Sequence, residues 1–563
     1  MKKINDIEQM RIPGMEEFRN HFSSTKIKIL ANSWAGVFRE FVLTKLPVHK
    51  LSQFYNGSYG RPSKELLALM GAVVLQQCFN LTDEETIFEL AFNQQWHFAL
   101  DCYDEKDQVI SLKTLWTMRN RITQTDLGNE IFELVTDKLI KAFKVDVSHQ
   151  RIDSVHVNSN MAKLGRVLLL AKTIECFLKE LKKNHMEIYN TKVEQRIKDI
   201  FFKEKGTGVF SQVKPSESEK KLQTLAEDMN SLLLLFANEE EINTSKSFKI
   251  MEKVFSQQCK KENDKILVKA AKEVPSDSIQ NPSDPDAGYS GHKGKGFQTQ
   301  LAETYIPDNG NEDDSNKKKG LKLITYTKTE SASCHDSHAI SALIDNLVKR
   351  NICPKELLAD TLYGKEENIL SAKEKDIDLI SPVPGNKNNR GLDKFTFHEE
   401  SFEIMSCPQN HKPSLMLKGS NERFIAKWDN NLCNACPFKD NCATEKKKEY
   451  RVLYYRKTEA FSCIRRVKEQ TDEFKDKYRY RSGIEGTNTR FIHQTEGRRS
   501  RYRGNQKMSM SQSLKALFIN IYRVSKNKVW KDMIIIFSEF YLKKVLFNFK
   551  FSKIRGYNFE FAV

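Results

Sequence analysis

The chain has 563 residues with 91 Lys or Arg against 74 Asp or Glu, a formal net charge of +17, and a hydrophobic content of 39%. That content is too high for a disordered chain and suits three or four ordinary folding units, while the basic excess favours a polyanionic partner. MKKINDIEQMRIPGMEEF lacks the apolar stretch of a signal peptide, and no run reaches the roughly 18 apolar residues of a membrane span, so export and membrane insertion are not expected. The eleven cysteines then read as reduced thiols or metal ligands rather than disulfides.

Residues 1–135 read as helical. Leu66, Leu67, Met70, Val73, Val74 and Gln77 recur with a 3.6-residue period, which predicts one core-facing stripe on a helix preceded by Pro62. Thr82 and Glu85 have capping-box spacing before IFELAF, and Ser111 is placed to cap LKTLWTMRNRI, which carries Arg119 and Arg121. Such a set fits a helical bundle or a DNA-binding unit. RIDSVHVN, from Arg151, alternates apolar and polar residues as a strand does. The pattern is helical from Leu164 to Glu273, and the stretch from Pro275 is a loop rich in Pro, Ser, Asp and Gly. FQTQLAETYI and LKLITYTKTES predict two strands joined by PDNGNEDDSNKKKG; HDSHAISALIDNLVKRN predicts an amphipathic helix opening near Asp336 or Ser337. ELLADTLYG and DIDLISPVPG predict two more short strands, and a cysteine-bearing segment follows. A long basic helix is expected from near Thr458 through Glu485, and VWKDMIIIFSEFYLKKVLFNFKF reads as a packed or interfacial helix.

Three strands, a helix, a strand, a strand and a helix is the order of an RNase H-like fold, with the first strand split from the second by a helical insertion. The fold class expected is therefore α/β: a mixed five-stranded sheet with flanking helices, plus an all-α N-terminal domain, a helical insertion and a small cysteine-rich insertion. The corresponding boundaries are 1–135, then catalytic segments at 145–164, 284–385 and 451–525, insertions at 165–283 and 386–450, and a basic-hydrophobic tail at 526–563. In such a sheet the first and fourth strands are neighbours, so Asp153 and Asp360 would meet, with Glu485 approaching from the last helix. Three carboxylates beside a basic surface suit two-metal phosphoryl transfer on nucleic acid, with Mg²⁺ or Mn²⁺ keeping part of its water shell. Arg498, Arg499, Arg501 and Arg503 read as clamps on a phosphate backbone, since guanidinium forks suit phosphate and no acids interrupt them.

CPQNHK at Cys407 precedes CNACPFKDNC, which holds Cys433, Cys436 and Cys442. The C-x2-C pair has zinc spacing, and the other two thiolates complete a four-sulfur set, with His411 in reserve. Buried thiols without metal are the plainer alternative. A closed four-thiolate site would stiffen a segment with little apolar core and take no part in catalysis.

Tyr478, Arg481 and Glu485 form a Y-x2-R-x3-E pattern, accompanied by GIEGT, RRSRYRG, DSVHVNSNMAK, ADTLYGKEEN and DPDAGYSGHKGKG. With YGRPSKELLALMGAVVLQQCFNLTDEE near the start, these blocks resemble bacterial insertion-sequence transposases of the DDE class, from about Gly60 to about Arg523. The resemblance implies that Asp153, Asp360 and Glu485 hold two Mg²⁺ ions, that Tyr478 and Arg481 position the strand near the scissile phosphate, and that freed 3′ ends are joined to target DNA. It implies double-stranded DNA as partner, a homo-oligomer of at least two copies on DNA, and a cytoplasmic, nucleoid-associated location. The family's pattern continues to a lysine seven residues after the glutamate; here that position is Ile492, followed by His493, and Arg490 or Arg498 is left to supply the cation. The alternatives are a nuclease without strand transfer and an inactivated copy that only binds DNA.

Overall fold

The computed structural model describes residues 23–55, 63–103, 105–203, 210, 213–263, 265–307, 320–385 and 391–534. Its central sheet is built from β1 (His149–Asn158), β2 (Gly294–Thr304), β3 (Ile324–Ser331), β4 (Glu356–Leu358) and β5 (Asp378–Ile380). They lie in the order β3-β2-β1-β4-β5, and a short strand, Gly288–Ser290, also pairs with β2. The β1–β2 and β2–β3 pairs are antiparallel, whereas β1–β4 and β4–β5 are parallel. This is the expected RNase H-like order. The two parallel strands bury Leu357, Leu358, Leu379 and Ile380, as strands covered on both faces do. Arg151 pairs with Leu358, so the chain leaving β4 passes beside the middle of β1.

Helices α1 (Leu66–Cys78), α2 (Leu112–Gln124), α3 (Leu127–Phe143), α4 (Ile484–Gln494) and α5 (Asn505–Lys526) pack around this sheet. The capping box of Thr82 and Glu85 is present, and Ser111 caps α2 by accepting from Thr114 N–H. A single apolar stripe on α1 proves too narrow an expectation: all thirteen residues of α1 are buried. The helix lies between α2, α5 and the helix Gln94–Leu100, so no side faces water. Its glutamines are satisfied internally, Gln76 by Asp83 and Gln77 by the Tyr502 hydroxyl. Helix α5 packs against α1, α3 and β3, and one continuous hydrophobic core runs from the early helices through α5 to the sheet.

The helical insertion has its own core, in which Phe177, Phe236, Phe248, Met229 and Met251 are buried together. Its far end departs from the helical expectation: Cys259–Glu262 and Lys265–Val268 pair as a hairpin. The preceding helix ends at Gln258, and Asn263, between the two strands, takes a positive φ of 48°, a conformation that Asn tolerates.

The cysteine-bearing segment is a four-stranded antiparallel sheet of Leu415–Lys418, Arg423–Asp429, Glu445–Lys446 and Tyr450–Arg456. It has more apolar core than expected: Phe395, Phe424, Trp428, Leu453 and Tyr455 are buried with Ala460 and Cys463 of the next helix. The expected long basic helix is broken into Lys457–Lys468, Asp472–Tyr478, a 3-10 turn Arg479–Gly483, and α4. Thr471 starts the second piece by accepting from Phe474 N–H. At the C-terminal end Trp530 is buried and lies 5.7 Å from Phe41, but residues 535–563, which hold most of the hydrophobic tail, are outside the described set, as is Pro62. No helix among the described residues is long and apolar enough to cross a membrane.

Candidate active site and nucleic-acid interface

Three elements bring the acids together. Asp153 sits in the middle of β1, two residues beyond the last pairing with β4. Asp360 follows β4 and caps the turn Thr361–Tyr363, its carboxylate accepting from Leu362 N–H at 2.8 Å. Glu485 lies in the first turn of α4. The guanidinium of Arg481 touches all three: Nη2 is 3.3 Å from Asp153 Oδ2 and 3.7 Å from Asp360 Oδ2, and Nη1 is 3.3 Å from Glu485 Oε1. One planar group reaches every carboxylate, so the acids line a single space of side-chain dimensions. Asn488, one turn after Glu485, donates to Asp153 Oδ2 at 3.1 Å. Burial pushes the Asp153 carboxyl above its ordinary range; Arg481 and the Ser154 N–H oppose this, while the nearby Asp360 and Asp336 carboxylates add to it.

Below the site a buried ion network fixes α4. Glu303 on β2 is fully buried, with Oε1 2.6 Å from Arg151 Nη2 and Oε2 2.9 Å from Arg523 Nη1. Thr487 Oγ1 donates to Glu303 Oε2 at 2.5 Å, and Arg151 also donates to the Tyr480 carbonyl. Burial alone would raise the Glu303 carboxyl, but Arg523, Arg151 and Thr487 hold it below its ordinary value. Gly483 is demanded by this packing, because a Cβ there would lie 2.1 Å from Arg151 Nη1. On the other flank, Asp336 is buried, accepts from Gln300 at 2.9 Å, and faces Lys293 Nζ at 3.6 Å.

Tyr478 is half-buried, stacked on Phe474 at 5.5 Å beside Leu358 and Ile380, and it feels the charges of Arg481, Asp360 and Asp153. Arg490 is exposed on α4, whereas Ile492 is partly buried and packs against the main core. Arg498 and Arg499 run alongside the end of β1, where the Arg498 carbonyl accepts from Asn158 N–H at 2.9 Å. Arg498, Arg499, Arg501 and Arg503 are all exposed; Arg501 Nε donates to the Asn80 carbonyl, and among the described residues none of the four is in an ion pair. Arg119 and Arg121, by contrast, serve packing. Arg119 is buried against Asp83 and Gln76 under the Tyr502 ring, and Arg121 lies 4.5 Å over Tyr55.

Cys407, Cys433, Cys436 and Cys442 line one small cavity together with His411 and Trp428, and all four are free thiols. Cys436 N–H donates to the Cys433 carbonyl, Cys407 N–H to the His411 carbonyl, and Thr444 Oγ1 to Cys442 Sγ at 3.3 Å. Burial raises the Cys433 thiol; Arg451 opposes that and the other three sulfurs add to it. Among the described residues no three His, Cys, Asp or Glu side chains stand close enough to hold a metal ion as they are. The donor types nonetheless fit: hard carboxylate oxygens at one place, soft sulfurs at the other.

Sequence reasoning missed Asn488, Glu303, Asp336 and Lys293. Two carried a signal. Asn488 is three residues after Glu485 on a helix, hence on the same face, and Glu303 is the one acid in the strand Gly294–Thr304.

Residues 33–121 match the family described as Transposase domain (DUF772), and residues 406–525 match the family described as Transposase DDE domain. No curated protein and no solved structure matches the chain. The two matches, one at each end of the fold, support an insertion-sequence transposase of the DDE class.

Proposed function

We propose that the protein binds the ends of an insertion sequence, cuts DNA there, and joins the freed 3′ ends to target DNA, with Asp153, Asp360 and Glu485 as the catalytic acids. The observation that carries this reading is the single guanidinium of Arg481 in contact with all three carboxylates. In the first step a water oxygen bonds to phosphorus, the P–O3′ bond breaks, and the departing O3′ takes up a proton. In the second, that 3′-hydroxyl attacks a phosphorus of the target and displaces its O3′. Two divalent cations, held by the three acids, would supply charge neutralisation on the attacking and leaving oxygens.

The chain's own residues do the rest. Asn488 orients Asp153. On this reading Arg481 exchanges the acids for a phosphate when DNA binds, and Tyr478, which feels its charge, lies beside it. Arg498, Arg499, Arg501 and Arg503, with Arg490, grip the backbone without reading bases. Cys407, Cys433, Cys436 and Cys442 would hold a structural Zn²⁺, which would tie together the segments that carry them.

Alanine at Asp153, Asp360 or Glu485 is expected to abolish Mg²⁺-dependent cleavage of an element-end duplex while leaving binding largely intact. Full cleavage by any of the three variants refutes the assignment. A strand-transfer assay with precut ends separates a transposase from a nuclease of the same fold.

A further inference from the structure

The turn after Gly288–Ser290 carries a cation that the arginine block and the Y-x2-R-x3-E pattern do not include. We propose that Lys293 is a substrate-positioning residue, which exchanges Asp336 for a non-bridging oxygen of the DNA phosphate lying beside Asp153. This rests on the DNA reading above and adds a residue to it.

Lys293 Nζ lies 3.0 Å from Ser154 Oγ, one residue from Asp153, and 3.6 Å from Asp336 Oδ2. The side chain is one-third exposed, so one side of the ammonium can meet a ligand while the other stays on the protein. Its neighbour Lys295 is spent differently, donating to the Ala162 carbonyl. Within the turn, the Lys293 N–H donates to Ser290 Oγ. Gly294 takes a φ of +93°, and a Cβ on Gly296 would lie 2.0 Å from the Val157 carbonyl oxygen, so the hairpin rests directly on β1. His156, three residues past Asp153, is flanked by the charges of both Lys293 and Arg498. Lys293 therefore stands between the arginine run at the end of β1 and the acids, where a backbone tracked by those arginines would enter the site. A lysine is a compact point charge, suited to one phosphate oxygen rather than a fork.

The test uses full-length protein with Lys293→Met and Lys293→Arg. Affinity is measured against salt on element-end and random duplexes, and cleavage in Mg²⁺ is measured at limiting and saturating DNA. Lys293→Met is expected to lower the slope of log affinity against log salt by about 0.9 on both duplexes, the loss of one phosphate contact. It is also expected to reduce cleavage at saturating DNA at least about tenfold, the scale of one misplaced reacting group. Lys293→Arg should restore the slope and most of the rate. If wild type shows a steep salt slope and Lys293→Met shows the same slope and rate, the role of Lys293 is refuted while the DNA reading stands. If wild type itself shows no salt-dependent DNA binding, the DNA reading falls and this proposal with it.

Discussion

Glu303→Gln is the most informative perturbation of the scaffold under the acids. It keeps the side-chain volume and removes the one negative charge between two cations. Glu303 is fully buried, and the Arg151 and Arg523 side chains it pairs with are only 6% and 11% exposed, so water cannot replace the lost partner. Breaking a buried pair from one side costs about 3–5 kcal/mol, because a charge is left without compensation. Against a total stability of about 5–15 kcal/mol that is a large fraction. Urea denaturation of wild type and variant measures it directly. Arg523→Met in the same background should recover part of the loss, with a coupling of about 1–3 kcal/mol, since it removes the uncompensated charge. Glu303 has a folded pKa below its unfolded value, so its contribution is complete above the unfolded pKa of about 4.3 and is lost as pH falls through the folded one. Wild type and Glu303→Gln should therefore converge in stability in acid. A cost under about 1 kcal/mol at neutral pH, or strict additivity with Arg523→Met, would refute the claim that this network anchors α4.

Two further expectations concern the surface and the cysteines. Replacing Arg498, Arg499, Arg501 and Arg503 together by alanine should weaken binding to element-end and random DNA alike and lower the salt slope by up to about 0.9 per lost contact; loss confined to element ends with an unchanged slope would mean that they read sequence. Protein purified under reducing conditions without chelator should contain one zinc per chain by elemental analysis, and Cys436→Ala should lose it; zinc-free wild type would leave the four thiols as packing residues.

The sheet was legible in the sequence because each strand carried its own signal: alternation in β1, strand-like runs joined by a polar, glycine-containing loop in β2 and β3, and short apolar runs in β4 and β5. The strand order then placed Asp153 beside Asp360 without further information. What lay hidden depended on contacts between distant segments. The complete burial of α1 follows from the distant α5 packed against it and from Tyr502, Asp83 and Arg119, which meet Gln77 and Gln76 from other segments. Arg119 looked like a candidate DNA contact until Asp83 and Tyr502 met it from two other segments. The cysteine-bearing sheet was hidden by its composition, in which Arg423, Lys427 and Asp429, together with Ile425 on the less buried side, mask the buried alternation of Phe424, Ala426 and Trp428. Asp336 reads only as a helix start and Lys293 as an ordinary charge in a turn; only the fold sets them 3.6 Å apart.

The charges at the candidate site do not balance. Asp153, Asp336, Asp360 and Glu485 bring four carboxylates to one region, and among the described residues Arg481 and Lys293 are the two cations in contact with them. A DNA phosphate entering this space adds negative charge, and its natural partners are the same two cations already committed to the acids. Turning Arg481 toward phosphate leaves three carboxylates facing one another, which costs more as water is excluded. The phosphate and the acids therefore compete for Arg481, and the competition is resolved only when other positive charge reaches the carboxylates. Two divalent cations held by Asp153, Asp360 and Glu485 would supply that charge. On the proposed reading Arg481 would then tie occupancy of the acids by cations to seating of the strand. The same logic explains why it lies four residues before Glu485, one helical turn away, where a rotation of its side chain alone exchanges one partner for the other.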